Sequence, residues 1–121
     1  MEPIEQLKKL LEDNHISYGF LSRKCAARLP QVFWPADSIT NKFIISVVQY
    51  DTLFPGKEDE APLELMINYK SDTDFAKTLL PQDKLMSEGI FSGGLWTNLT
   101  AEEAFNCIKG FNDRAERKGM N

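Results

Sequence analysis

Ile4, Leu7, Leu10 and Leu11 recur at the three- and four-residue spacing that gathers side chains on one face of a helix, with Lys8, Lys9 and Glu12 between them. Pro3 stands where a first turn tolerates it, because the N–H that proline lacks has no helical partner there. The pattern predicts a helix over residues 3–13, ending around Asp13-Asn14-His15. Tyr18, Leu21, Cys25 and Leu29 continue at helical spacing, so a second helix is expected from about Ser17 or Ser22 to Arg28. Gly19 weakens that helix and Pro30 disfavours α geometry at Leu29. Pro30, Pro35 and Asp37 mark the next segment, which carries Phe33 and Trp34, as irregular.

The pattern then turns from helical to extended. Residues 42–51 hold Phe43, Ile44, Ile45, Val47, Val48 and Tyr50, apolar on both faces, which predicts a central strand. Residues 63–70 alternate Leu63, Leu65, Ile67 and Tyr69 with Glu64, Met66, Asn68 and Lys70. The stretch from Phe54 to Pro62 between them has loop chemistry, and its length suits an antiparallel pair, since a parallel pair needs a crossover of about a dozen residues or more. Ser71 or Asp72 can cap a helix through Phe75, Ala76, Leu79 and Leu80 that Pro81 stops. Ile90-Phe91, Gly93-Gly94 and Leu95-Trp96 read as a strand or hairpin broken at the double glycine. Thr100 and Glu103 form a capping box ahead of the stripe Ala104, Phe105, Ile108, Phe111 and Ala115, predicting a helix over 100–117. The expected fold class is therefore α+β: a single domain over residues 1–121, a small antiparallel sheet with helices packed on one face.

Composition adds bounds. A chain of 121 residues that is 42% hydrophobic and 26% charged can bury a core without staples. Its longest apolar runs are too short to span a bilayer, so no membrane association is expected. The first residues lack the basic start and apolar stretch of a signal peptide, and Cys25 and Cys107 are too few for a disulfide scaffold. Both features point to a cytoplasmic protein with free thiols.

Catalytic chemistry finds little to work with. The chain has one histidine, His15, next to a predicted helix end, and two cysteines on apolar helical stripes. That set cannot assemble a zinc site. Asp72-Thr73-Asp74 begins like a calcium loop, but Ala76 occupies a ligand position and Lys77 stands where glycine is needed. Ser92-Gly93-Gly94 lacks the spacing and the lysine of a phosphate loop. No catalytic residue, metal or cofactor is assigned.

Charge carries the functional expectation. Eighteen acids against fourteen bases leave a net charge of −4. The acids crowd between residues 51 and 74: Asp51, Glu58, Asp59, Glu60, Glu64, Asp72 and Asp74, with Lys57 and Lys70 the only bases. Such a patch steers a basic partner toward it. Trp34 and Trp96 each read either as a residue of the core or its rim, or as an aromatic anchor for the same interface. The expectation is a protein-binding inhibitor of the bacterial immunity or antitoxin kind, acting on a basic protein such as a toxin nuclease. Two alternatives stand beside it. Arg23, Lys24 and Arg28 could belong to a helix-turn-helix nucleic-acid reader, which the net charge and Pro30 oppose. Trp34, Tyr50, Tyr69 and Trp96 could line a pocket for a small ligand or an enzymatic reaction.

Overall fold

The computed structural model describes residues 2–21, 30–37, 43–49, 63–89 and 93–117. Among these, the helices are α1 (Pro3–Asp13), α2 (Lys70–Ala76) and α3 (Ala101–Arg117), with a 3-10 turn at Gln82–Lys84. The strands are β1 (Gly19–Leu21), β2 (Gln31–Trp34), β3 (Ile45–Gln49), β4 (Leu63–Ile67), β5 (Leu85–Glu88) and β6 (Gly94–Leu99). They form one antiparallel sheet in the order β1-β2-β3-β4-β6-β5. The class is α+β, with the helices packed against the sheet, as the hydrophobic pattern predicts.

The predicted helix over 3–13 forms with those bounds. Its end is a Schellman motif: the N–H of His15 donates to the Glu12 carbonyl at 3.1 Å and that of Ile16 to the Leu11 carbonyl at 2.9 Å. His15 takes the left-handed conformation this motif requires, φ 59°. Leu11 and Ile16 are both buried, which supplies the hydrophobic contact that accompanies it. At the start, the Gln49 side chain on β3 accepts the Ile4 N–H at 2.9 Å and donates to Glu2 Oε2 at 2.5 Å, tying the helix to the middle of the sheet. The capping box ahead of α3 also forms: Glu103 Oε1 accepts the Thr100 N–H at 2.9 Å, and Thr100 Oγ1 accepts the Glu103 N–H at 3.1 Å.

The central pair β3–β4 is antiparallel, with Ile45 opposite Ile67 and Val47 opposite Leu65. Directly paired residues share a face. One face therefore carries Val32, Trp34, Ile45, Val47, Leu63, Leu65, Ile67, Trp96 and Leu99, all buried in one core with Leu7, Leu11, Ala104, Ile108 and Phe111 of the helices. In β6 the ladder slips opposite Glu64, and Asn98 takes a left-handed φ of 57°. That bulge turns Leu99 inward although it stands three residues from inward-facing Trp96.

Three expectations are corrected. Residues 19–21 are a strand, not the start of a helix; a Cβ on Gly19 would sit 2.0 Å from the Phe33 ring, so only glycine lets that ring lie across β1. The remainder of that expected helix lies outside the described residues. Residues 31–34 are a strand rather than an irregular segment, because Pro30 and Pro35 flank the ladder instead of interrupting it. The last hairpin pairs 85–88 with 94–99, so the double glycine is the entry to β6 and not a break within a strand. A Cβ on Gly93 would lie 1.8 Å from the Ile67 carbonyl oxygen, and one on Gly94 2.7 Å from Thr73 Cγ2. The two glycines let β6 start pressed against β4 and α2. The expected loop over 54–62 lies outside the described residues.

Candidate functional site

The second face of the sheet carries no helix among the described residues, and there the alternation leaves apolar side chains outward. Leu65 and Ile67 point into the core, so Met66 points out; Gly94 and Trp96 point in, so Leu95 points out. Met66 pairs with Leu95, and Leu95 pairs with Ser87 on β5. The β5–β6 ladder slips between Leu85 and Ser87, which adds Met86 to this row. Bare backbone at Gly93 and Gly94 opens the floor. The result is a groove of about 430 Å³ lined by Met66, Asn68, Met86, Ser87, Gly93 and Leu95, with Ile67 and Gly94 behind them. Met86 is 70% exposed and Met66 39%. Asn68 holds the rim: its side-chain amide donates to the Phe43 carbonyl, and its N–H donates to the Ile44 carbonyl at 3.1 Å. Methionine thioethers are flexible and polarisable, which suits a surface that must fit another molecule.

The three predicted acids among the described residues, Glu64, Asp72 and Asp74, lie at different places. Glu64 lies on the same face as the groove, one outward position from Met66 along β4, and is half-buried. Asp72 belongs to the helix layer: it accepts from Arg114 at 3.1 Å, and that guanidinium stacks on Phe75 and Phe111 at 4.0 and 4.9 Å. Asp74 is exposed on α2, 3.9 Å from Lys77 Nζ. Asp51, Glu58, Asp59 and Glu60 lie outside the described residues, as do Arg23, Lys24 and Arg28 of the nucleic-acid alternative.

The tryptophans serve the core. Trp96 is fully buried, and Trp34, at 8% exposure, packs 6.1 Å from the Phe111 ring. Of the two readings of each tryptophan, the structure places Trp96 in the core and Trp34 at its margin. Tyr69 is exposed and Tyr50 lies outside the described residues, so the described members of the expected aromatic pocket do not converge.

The remaining reactive groups are placed as follows. Cys107 is a buried free thiol, and burial pushes its pKa up to about 12. His15 is exposed at the end of α1. Among the described residues, no three or more His, Cys, Asp or Glu side chains are grouped to hold a metal ion, and no helix is long and apolar enough to cross a membrane. Comparison with protein-family models, with curated proteins and with solved structures finds no match to this chain.

The hydrophobic pattern along the chain does not reveal the groove. Met66 stood on the polar side of an amphipathic strand, among Glu64, Asn68 and Lys70. An apolar residue at an outward strand position was the available signal.

Proposed function

We propose that this chain is a protein-binding inhibitor, of the immunity or antitoxin kind, that neutralises a basic protein by docking it on the sheet face that bears none of the described helices. The observation that supports this is the apolar groove of Met66, Met86 and Leu95, because solvent-exposed methionines over an open cleft are costly unless something covers them. Its volume, about 430 Å³, is that of a site for a few side chains. The net charge of −4, the crowding of acids between residues 51 and 74, and Glu64 beside the groove favour a basic partner.

The test begins with capture of a partner on the immobilised protein and an assay of that partner's activity with and without the chain. A basic protein whose activity falls as the chain is titrated to equal amounts is the expected result. Both rate constants are then measured over a range of salt. Replacing Glu58, Asp59 and Glu60 together by their amides slows association and flattens its salt dependence. Met86→Asp acts on dissociation, speeding it about tenfold or more if the side chain is central to the contact. Rates untouched by Met86→Asp remove the groove from the interface. A partner that is nucleic acid, or one whose activity is unaltered, overturns the inhibitor function.

A further inference from the structure

We infer that the groove is a methionine-oxidation site: a hydroperoxide converts Met86, and more slowly Met66, to the sulfoxide, and the polar product closes the groove to the apolar side chains of a partner. The use of this switch rests on the proposed function; the modification itself rests on the geometry alone. The described residues hold three sulfur atoms, in Met66, Met86 and Cys107. Cys107 is fully buried in the core, out of reach of an oxidant in water. Both methionines line the groove, and the sheet shields them unequally. Met66 lies on β4 between Ser46 of β3 and Leu95 of β6, which pair with it on either side. Met86 lies on the edge strand where the ladder slips, so no residue of β6 pairs with it and no described strand runs beyond it. It is accordingly 70% exposed, against 39% for Met66. A thioether has no proton to lose and needs no base, so access of the oxidant to the side chain decides which methionine reacts first.

The step balances without help from the protein. A lone pair on sulfur displaces hydroxide from one peroxide oxygen, and the S–O bond forms as the O–O bond breaks. The proton on the transferred oxygen passes to the departing hydroxide, leaving sulfoxide and water. Sulfur loses two electrons and the peroxide gains them. A flexible apolar side chain becomes a polar one, chiral at sulfur. Position decides the consequence. Met66 and Met86 both lie outside the core cluster, so their oxidation alters the docking surface and leaves the packing of the domain alone. Met66, Met86 and Leu95 are the apolar side chains on the open side of the groove, and oxidation removes two of the three.

Graded hydrogen peroxide tests this, read by peptide mass mapping and by the fluorescence of Nile red, a neutral apolar probe of the groove. Met86 gains one oxygen first, at about twice the rate of Met66 or more, following their exposures. Affinity for the dye falls about tenfold or more as Met86 is consumed, while the circular dichroism spectrum and thermal midpoint hold. Methionine sulfoxide reductases of both epimer specificities restore it. The double variant Met66→Leu/Met86→Leu, compared with itself before and after peroxide, keeps its dye affinity although the methionines elsewhere in the chain still react. Oxidation of Met86 no faster than that of Met66 overturns the site. Dye affinity that survives Met86 oxidation, that is lost in the double leucine variant as well, or that disappears only with the fold overturns the switch. The basic partner captured on the immobilised protein is then offered to the oxidised form, and weaker binding that the reductases reverse is expected. A partner held equally by the oxidised form removes the switch and leaves the inhibitor function standing. Dye affinity that follows oxidation in a chain that captures no partner removes that function alone.

Discussion

His15 occupies the position after a helix where glycine is the usual residue, because a Cβ there is crowded by the neighbouring carbonyl. Its ring is exposed at the surface, so the histidine supplies little packing to offset the backbone cost. His15→Gly should therefore stabilise the domain by about 1 kcal/mol, read as a higher urea midpoint with an unchanged slope. The two hydrogen bonds of the motif, to Glu12 and Leu11, do not depend on the side chain and persist. Burial explains Cys107 at the same scale: a thiol pushed to about 12 stays protonated at neutral pH and is a poor nucleophile.

At the scale of elements, the start of α3 is the best-connected point. Burial pushes the Glu103 carboxyl up, but the Lys84 ammonium and the Thr100 N–H and hydroxyl outweigh it and hold the group below the usual carboxylate range. A carboxyl whose pKa is lower in the folded state stabilises fully above its unfolded value, and that contribution is lost as pH falls through the folded one. Glu103→Gln keeps the hydrogen-bonding shape of the cap and removes this titration. It should flatten the acid limb of a stability–pH curve and cost about 0.5 kcal/mol at neutral pH, the scale of a partly exposed ion pair. This cap, like α1 and its end, was legible in sequence because helix signals are local: a period, a capping residue and a stop. The central strands were legible because they are apolar and long. β1 and β2 were not, since three or four residues between glycine and proline carry too little pattern to outweigh a helical spacing. The groove was not legible either. Met66 and Ser87 belong to consecutive strands, yet they share a site only because β6 inserts between β4 and β5 and places Leu95 between them. That is a fact of topology, which no local window contains.

The described residues form two layers, one sheet and one set of helices, and Ile108 sits fully buried where they meet. Its truncation to alanine should cost about 2–5 kcal/mol in chemical denaturation, the range for a large aliphatic side chain lost from a packed core. Phe105, on the same helix but only half-buried, should cost less. The helix layer is closed by α1 against α3, the first and last elements of the described chain, while β4 at the sheet centre takes β6 rather than β5 as its neighbour. During synthesis, then, α1 and the first four strands emerge before the helix that closes their layer. Until α3 has left the ribosome, the face bearing Val32, Ile45 and Leu65 lacks the cover of Ala104, Ile108 and Phe111, and a nascent chain halted before Phe111 is cargo for a holding chaperone rather than a partly working domain.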